Sequence, residues 1–251
     1  VAGCERSLLV VPSPCPLEIS MPNRQLQDLF PESWRCIQFS HRIEGWLTDS
    51  EADQLFKLAK YHTPDDCPIV VELGSWKGKS SVMIAAGLRG KHSPKLYCVD
   101  PFGRDENPES QAKYYDSLVE GSKRTLEEIF KRNIKRSGAE NMVLPLKGYS
   151  FEVAANWTAP IDFLFIDASH GYEAVLRDFM TWSQFLKPGG AVAFHDVSPQ
   201  WPGPSRAVWE KLKHPEYGPV QIVDTLAWAI KCNELKEAEL FPRACLATIN
   251  A

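Results

Sequence analysis

The stretch PIVVELGSWKGKS, residues 68–80, decides how the rest of the chain is interpreted. Its β-branched run over 68–73 is typical of a buried strand. Gly74 and Gly78 follow this run and let the backbone turn tightly. A helix is predicted next, over 79–88. A strand, a glycine turn and a helix in this order form the first half of a βαβ unit.

The same alternation of strand and helix continues along the chain. It predicts an α/β fold, in which a parallel sheet carries helices on both faces. Pro145 removes a backbone donor from the third strand and favours an edge position for it. The further predicted elements are strands at 95–100, 142–146, 161–167 and 191–194, helices at 118–137 and 172–186, and two short strands within 219–231 around a tight turn near Asp224.

Composition limits the classes of function. The 251 residues carry a net charge of -4, with 44% hydrophobic and 24% charged residues, as in an ordinary globular protein. This charge argues against nucleic acid phosphates as the main ligand, and the Lys and Arg pairs of helix 118–137 are interpreted as a solvated face. The longest apolar runs, such as 163–166, are far shorter than the roughly 20 residues that cross a bilayer. We therefore expect neither nucleic acid nor membrane as a partner.

Cysteine usage indicates a reducing compartment. The seven cysteines are scattered, odd in number and contain no CxxC pair, which argues against a disulfide framework and against a thiolate zinc site. The apolar run at 8–11 is too short for the core of a secretory signal. A cytoplasmic location is predicted, while the start at Val1 leaves open whether residues precede it.

The N-terminal part differs in composition from the rest. Five prolines within residues 1–33 and little periodicity favour an extended arm, either docked or loose. A helix is predicted to start at Thr48–Glu51, because Thr48 or Asp49 can cap it and Glu51 lies in its first turn.

Polar side chains close four of the predicted strands. They are Glu72, Asp100, Asp167 and the pair His195 and Asp196. Ligands of open α/β sheets bind beyond the carboxyl ends of the strands, so these residues indicate a binding site at that edge.

Two interpretations of the glycine loop compete. The ending Gly78, Lys79, Ser80 is that of a phosphate-binding P-loop, but three residues separate Gly74 from Gly78 where the P-loop has four. The alternative is a nucleoside site, since Asp100 closes the next strand, where a carboxylate holds ribose hydroxyls in dinucleotide-binding folds. No GxGxxG is present, which favours an adenosine with a compact zwitterionic group over a pyrophosphate.

Four motifs in order resemble those of class I S-adenosylmethionine-dependent methyltransferases. They are ELGSWKGKS (72–80), LYCVDPFG (96–103), DFLFIDASHGYEAVLRDF (162–179) and LKPGGAVAFHD (186–196). Within that family the chain is similar to small-molecule O-methyltransferases of the macrocin and catechol types, over about residues 40–232. The resemblance implies a Rossmann-like, seven-stranded, mostly parallel sheet whose final strand is antiparallel. It divides the chain into a Pro-rich N-terminal extension, 1–45, and a methyltransferase domain, 46–251.

The resemblance assigns the glycine loop to the methionine part of S-adenosylmethionine. The loop residues concerned are Glu72, Gly74, Ser75, Gly78 and Ser80. Capping of the following helix is the structural alternative for Ser80.

The next two strand ends would bind the adenosine part. Asp100 would hold the ribose hydroxyls, and Pro101 and Phe102 would lie along the adenine. The structural alternatives are a turn at Asp100 and core packing by Phe102. The residues that would close over the edge of the base are Gly148, Tyr149 and Ser150.

The resemblance also implies catalytic roles. Catechol-type enzymes place a Lys three residues after the acid that ends the fourth strand and use it as the general base. In this chain the acid is Asp167 and the residue three positions later is His170. The resemblance places Asp167 and His170 facing the sulfonium and the acceptor, so Asp167 is also a predicted cofactor contact. We predict His170 as the base, with Asp167 as a further catalytic residue and His195 as the next candidate base. Helix capping or adenine binding is the alternative role of His170.

Metal dependence is left open by the sequence. The related enzymes bind Mg²⁺ through acids that end the fourth and fifth strands, and Asp167 and Asp196 match those positions. Val197 stands where those enzymes have a further ligand, and it cannot coordinate a metal. His195 or water would complete the shell, since Mg²⁺ prefers oxygen and keeps several waters.

The predicted function is methyl transfer from S-adenosylmethionine to the hydroxyl of a small molecule, such as a sugar, a phenol or another natural product. A P-loop nucleotide hydrolase or kinase and a non-catalytic scaffold are the alternatives. Trp201, Trp209 and Trp228 could line an acceptor pocket, although core packing is the simpler role. The sequence leaves open which acceptor is used and whether the protein is a monomer or a homo-oligomer.

Overall fold

The computed structural model of the protein describes residues 23–103 and 124–232, which form a seven-stranded sheet covered by helices. The strands are β1 (Ile69–Leu73), β2 (Lys95–Asp100), β3 (Val143–Lys147), β4 (Ile161–Ile166), β5 (Leu186–Phe194), β6 (Gln221–Val223) and β7 (Leu226–Ile230). Their order across the sheet is β3-β2-β1-β4-β5-β7-β6. β7 is antiparallel to β5 and β6, and the other pairs are parallel. The predicted α/β fold is confirmed, with β3 and its Pro145 at an edge.

The helices lie on both faces of the sheet. Those in the described residues are α1 (Asn23–Leu29), α2 (Trp34–Ser40), α3 (Asp49–Tyr61), α4 (Lys79–Gly87), α5 (Leu126–Ser137), α6 (Ser150–Ala154), α7 (Tyr172–Trp182) and α8 (Pro202–Lys211). One buried apolar cluster joins the sheet to α1–α5, and a second joins it to α6–α8. β4 is buried along its whole length, as expected of a central parallel strand covered on both faces.

Two of the helices begin with a complete capping box. In α3 the Thr48 hydroxyl accepts from the Glu51 amide, and the Glu51 carboxylate accepts from the Thr48 amide. Thr125 and Glu128 form the same arrangement at the start of α5. The predicted start of α3 is confirmed. The predicted helix at 118–137 begins at residue 126, and its first residues, 118–123, lie outside the described part of the chain.

β5 is longer than predicted. The sequence predicts this strand at 191–194 and the end of the preceding helix at residue 186, whereas α7 ends at Trp182 and β5 begins at Leu186. Its pairing with β4 shifts register between Ile161 and Phe163. A Cβ on Gly190 would lie 2.9 Å from the Asp162 carbonyl oxygen, so glycine there permits the close approach of the two strands. Pro188, Gly189 and Gly190 therefore lie inside an irregular part of β5 and do not end the preceding helix.

The N-terminal region is helical where an extended arm was predicted. In the described part, from residue 23 onward, α1 and α2 pack against the body, with Leu26 and Ile37 in the core. The extended interpretation, made for residues 1–33, is therefore wrong for α1, because a helix this short shows no clear apolar period. α2 lies beyond that arm and was not predicted. Residues 1–22 lie outside the described part, and the division of the chain at residue 45 stays a prediction.

The cysteines and the helices bear on the predicted environment. Within the described residues Cys36, Cys67, Cys98 and Cys232 are free thiols. In the same part of the chain, no helix is both long enough and apolar enough to cross a membrane. The cytoplasmic location stays a prediction.

Candidate active site

Three neighbouring strands bring Gly74, Asp167 and His195 together at the carboxyl edge of the sheet. The last residue of β4 is in register with the last residue of β1 on one side and of β5 on the other. The Asp167 amide donates to the Leu73 carbonyl at 2.8 Å, and the His195 amide donates to the Ile166 carbonyl at 3.1 Å. The predicted strand-end residues therefore lie side by side.

Gly74 lies where no other residue fits. Its φ is +85°, and a Cβ would lie 2.1 Å from the Asp167 carbonyl oxygen and 2.6 Å from the Ala168 Cα. Glycine thus allows both the left-handed turn and the close contact between the ends of β1 and β4.

Glu72 lies beneath the loop and faces no open site. Its fully buried carboxylate accepts from the Ser80 hydroxyl at 2.5 Å, from the Ser81 hydroxyl and from Cys98 Sγ at 3.2 Å. Burial raises the pKa of Glu72, and the hydrogen bonds from these side chains oppose that effect. Glu72 and Ser80 thus connect α4 to β1, and their assignment to the loop under the methionine part of the cofactor stays a prediction.

Asp100 organises the glycine loop. Its Oδ2 accepts from the amides of Ser75 and Trp76 at 3.0 and 2.8 Å, and its Oδ1 accepts from the Phe102 amide at 2.7 Å. The side chain is buried. Asp100 therefore fixes the loop after β1, a role that the sequence analysis did not foresee, and the predicted contact with ribose hydroxyls stays a prediction.

Phe102 belongs to the core. It is 4% exposed and packs against Phe130, with 5.1 Å between the ring centroids. This burial favours the alternative role of Phe102 in core packing, and its contact with the adenine stays a prediction. Pro101 is half-buried beside it.

The turn after β3 has a buried acidic partner. The Ser150 hydroxyl donates to Asp178 Oδ1 of α7, and the Tyr149 ring stacks on Phe151 with 5.7 Å between centroids. The Gly148 amide donates to the Asp100 carbonyl at 3.1 Å, which joins this turn to β2. Burial raises the pKa of Asp178 to about 6, against the opposing hydrogen bond from Ser150. Asp178 was not predicted as a site residue, because its position on a helix gives no local signal that distinguishes it from a surface acid.

The side chains that suggested a P-loop are engaged elsewhere. Lys79 Nζ donates to the Gly45 carbonyl at 3.0 Å and is buried, and Ser80 is bound to Glu72. Gly78 caps α4 with a φ of +86°, and a Cβ there would press on Phe130. These contacts remove the groups that a phosphate-binding loop needs for a nucleotide and its metal.

His170 is paired with Asp196. Its Nε2 lies 2.7 Å from Asp196 Oδ2, and its ring stacks on Trp201 with 4.2 Å between the ring centroids. The His170 side chain is partly exposed. The backbone of Asp196 is left-handed, with a φ of +59°, which turns its side chain back toward the loop after β4. His170 and Asp196 thus form an oriented pair at the rim of the site.

His195 lies deeper, between carboxylates. Its Nδ1 is 3.4 Å from both Asp167 Oδ1 and Asp196 Oδ2, and its Nε2 is 3.2 Å from Glu51 Oε2. His195 is buried, and its predicted catalytic role stays a prediction.

Burial and the neighbouring charges both shift the pKa values of the residues in this cluster. Burial lowers the pKa of His195, but the Asp167, Asp196 and Glu51 carboxylates outweigh it and raise that pKa well above its usual value. Burial raises the pKa of Asp167 despite the attraction of His195. For Asp196, hydrogen bonds from His170 and His195 outweigh burial and hold the pKa far below its usual value. The cluster is thus a place where positive charge is strongly favoured.

The same atoms form a candidate metal centre. Asp167, His195 and Asp196 each offer one ligand atom, and these three atoms lie within 4.8 Å of one another. Val197 is buried, and its amide donates to the Thr225 carbonyl at 2.9 Å. His195 therefore supplies the third donor atom.

Residues before α3 cover the glycine loop. The Trp46 ring stacks on Trp76 with 4.8 Å between centroids, and Lys77 Nζ lies 2.5 Å from Glu44 Oε2. Of the tryptophans considered as acceptor contacts, only Trp201 touches His170, whereas Trp228 is buried in the core and Trp209 is exposed on α8.

A second group of potential ligand atoms lies at the opposite edge of the sheet. Asp66, Cys67 and His92 are exposed, and His92 Nδ1 is 2.6 Å from Asp66 Oδ1. They precede β1 and β2 and are therefore remote from the carboxyl edge.

The comparison with protein families agrees with this geometry. A family model described as "Methyltransferase domain" matches residues 71–197, which is half of the chain. The chain belongs to this methyltransferase family. The match covers the glycine loop, Asp100, Asp167, His170 and Asp196, and it confirms the predicted membership of a methyltransferase family.

A curated relative and several solved structures are also similar to this methyltransferase. Uncharacterized protein R132 of Acanthamoeba polyphaga mimivirus is 27% identical over 145 residues, and the match spans 57% of each protein. The O-methyltransferase of Bacillus cereus in complex with SAH has a TM-score of 0.55 and 14% identity, over 83% of this chain and 96% of that one. TomG of Streptomyces achromogenes, an O-methyltransferase in complex with SAM, has a TM-score of 0.55 and 14% identity, over 85% and 100%. At 14% identity these two structures show similarity of the fold alone.

Proposed function

We propose that this methyltransferase transfers a methyl group from S-adenosylmethionine to the hydroxyl group of a small molecule. S-Adenosylmethionine, when bound, supplies an electrophilic methyl group on its sulfonium. The observation that carries the proposal is the His170–Asp196 pair beside Asp167, at the edge where open α/β sheets bind their ligands.

The glycine loop fits the methionine part of the cofactor. Asp100 holds the loop through the Ser75 and Trp76 amides, so its shape exists before a ligand arrives. The Trp76 indole Nε1 is buried and has no hydrogen-bond partner among residues 23–103 and 124–232. A buried donor of this kind calls for an acceptor. Gly148, Tyr149 and Ser150 remain the proposed contacts at the adenine edge.

His170 is proposed to remove the proton of the acceptor hydroxyl. When Nε2–H of His170 donates a hydrogen bond to Asp196, the lone pair of the ring is on Nδ1. Nδ1 is then the nitrogen that can accept the proton of the acceptor hydroxyl. Asp196 sets the tautomer, and the Trp201 ring fixes the plane of the imidazole. Methyl transfer also depends on alignment, so a base of fixed orientation contributes through its geometry as well.

A divalent cation is proposed at Asp167, His195 and Asp196. The cation, when bound, would lower the pKa of the acceptor hydroxyl and orient it. Two carboxylates and one imidazole suit Mn²⁺ or Fe²⁺ better than Mg²⁺, since Mg²⁺ prefers a shell of oxygen atoms alone. His195 is assigned to this centre and not to proton transfer, because both of its nitrogens face carboxylates.

The comparisons support an oxygen acceptor. TomG and the Bacillus cereus protein are both described as O-methyltransferases, and they are in complex with SAM and SAH. The acceptor is proposed to be small, and the Trp201 ring beside His170 offers it an apolar wall.

The test compares two histidine–aspartate pairs. Methyl transfer from labelled S-adenosylmethionine to a panel of phenols and sugars is measured for the wild type, for H170A and for H92A. His92 also faces an aspartate at 2.6 Å, but at the opposite edge. H170A should lower kcat by about 10²–10⁴-fold with little change in S-adenosylhomocysteine affinity. H92A should transfer at the wild-type rate.

Two outcomes contradict the proposal. Normal kcat in H170A would mean that the base lies elsewhere. S-Adenosylhomocysteine binding by the wild type without transfer to any acceptor of the panel would favour the non-catalytic scaffold.

A further inference from the structure

Glu51 is a buried carboxylate with four donors around it. Its Oε1 accepts from the Thr225 amide at 2.8 Å and from the Thr225 hydroxyl at 2.7 Å. Its Oε2 accepts from the Thr48 amide at 2.9 Å and lies 3.2 Å from His195 Nε2. The side chain is 1% exposed. Glu51 thus joins the start of α3, the β6–β7 turn and the site.

The capping box alone does not account for this environment. Glu128 has the same motif position at the start of α5, where it bonds to Thr125 and is exposed. An exposed glutamate is sufficient for capping. Burying a carboxylate is costly unless it is paired and hydrogen-bonded, so the burial of Glu51 points to its partner His195.

We propose that Glu51 is the positioning residue of His195. Its carboxylate accepts a hydrogen bond from Nε2–H of His195 and thereby directs Nδ1 of the ring toward Asp167 and Asp196. The inference rests on the proposed function, in which His195 Nδ1 is a ligand of the divalent cation.

The physical reason is the tautomer of the imidazole. A ring nitrogen that coordinates a cation must carry a lone pair, and the other nitrogen must then carry the proton and needs an acceptor. Glu51 is that acceptor. Asp167 and Asp196 face Nδ1, so without Glu51 they would draw the single proton to Nδ1 and block it as a ligand.

Glu51 also connects this orientation to a distant segment. It lies 144 positions before His195 in the chain, and its other bonds go to Thr48 and Thr225. The orientation of His195 therefore depends on the seating of α3 against the β6–β7 turn.

The test is E51Q, with E128Q as the matched control. When glutamine keeps the Thr225 hydrogen bonds through its carbonyl oxygen, its amide nitrogen faces His195 Nε2 as a donor and also loses the bond from the Thr48 amide. Mn²⁺ affinity, measured by calorimetry, should fall about 10–100-fold in E51Q, the usual effect of losing such a partner. The affinity of E128Q should equal that of the wild type, and S-adenosylhomocysteine affinity should be unchanged in both.

A second readout needs no metal. Two-bond ¹H–¹⁵N spectra of chelator-treated protein report which imidazole nitrogen carries a proton, and H195Q identifies the signal. At a pH high enough for the His195 ring to be neutral, the wild type should keep its one ring proton on Nε2, and E51Q should show Nε2 without one. An unchanged His195 signal together with unchanged Mn²⁺ affinity would overturn the inference.

The two readouts separate this inference from the proposed function. A changed His195 tautomer in E51Q, in a protein whose wild type binds no Mn²⁺, would support Glu51 and remove the proposed cation. If E51Q does not fold, E51D takes its place, since the shorter side chain lengthens the contact with Nε2. E51D should lower Mn²⁺ affinity by a smaller factor, and an unchanged affinity would again overturn the inference.

Discussion

Single residues in this protein owe their properties to their neighbours more than to their type. Asp178 shows this most simply, because it is an acidic residue of α7 whose side chain is 4% exposed. Burial raises its pKa from 3.8 to about 6, although the hydroxyl of Ser150 donates to it. An ionised Asp178 is therefore a cost to the folded state near neutral pH.

The substitution D178N tests that cost. As the pH rises from about 4, the unfolded chain loses this proton first, so the folded state loses stability until the pH passes about 6. Asparagine keeps an acceptor for Ser150 and never ionises. The stability of D178N relative to the wild type should therefore rise by up to about 3 kcal/mol between pH 4 and pH 7, the value of about two pKa units.

Denaturant unfolding at the two pH values measures this difference. A difference in stability that is the same at both pH values would show that the pKa of Asp178 is not raised.

The sequence predicted which residues would meet at the site, and it predicted less well what they do there. The acids at the strand ends were found because parallel strands end at a common edge. Their partners were not, since Asp100 binds amides of a loop 24 and 25 positions earlier and Asp178 meets Ser150 from another helix. Such contacts depend on packing, which a local pattern does not encode.

At the scale of elements, the loop between β1 and α4 depends on β2. Asp100 accepts the amides of Ser75 and Trp76, so the loop keeps its shape only while that carboxylate is present. Asp162 offers a comparison at the opposite edge, where its Oδ2 accepts from the Ile69 amide at 2.8 Å. Both aspartates are buried and hold a backbone segment, but only one holds the proposed cofactor loop.

We expect D100A and D162A to separate cofactor binding from stability. D100A should weaken S-adenosylhomocysteine binding by about 1.5–3 kcal/mol, the scale of hydrogen bonds to a charged group. D162A should lower the stability and leave the affinity unchanged. Calorimetry with both folded variants gives the comparison, and equal affinities would mean that the loop is not part of the cofactor site.

Element boundaries followed the sequence where the pattern was strong. β1, β2, β4 and α4 lie where strands and a helix were predicted, because continuous apolar runs and glycine turns mark them. β5 was predicted too short, because its glycines interrupt the apolar run. α1 and α2 were not predicted, because each is too short to show a clear hydrophobic period. Packing against the body decides those segments.

At the scale of the whole molecule, several carboxylates converge at the carboxyl edge of the sheet. The net charge of the chain is only -4, yet Glu51, Asp167 and Asp196 converge there around His195. Fold and edge were both predictable from alternation and resemblance. The convergence was not, because Glu51 reaches the edge from α3, outside the motifs.

This concentration of carboxylates leads to the last prediction, that a divalent cation stabilises the entire fold. A ligand that binds only the folded state adds RT ln(1 + [L]/Kd), or about 2.7 kcal/mol at 100 times Kd. For a chain of this size that corresponds to a rise in Tm of about 5–10 °C. Mn²⁺ should produce the rise in chelator-treated protein and in H92A, which lacks a ligand of the exposed group at the opposite edge. D167N should abolish the rise while S-adenosylhomocysteine still raises Tm.

Methyl transfer should disappear with chelation and return with Mn²⁺, because the cation would orient the acceptor. Full transfer after exhaustive chelation, with no Mn²⁺-dependent rise in Tm, would leave Asp167 and Asp196 as hydrogen-bonding partners of His195 and His170 alone.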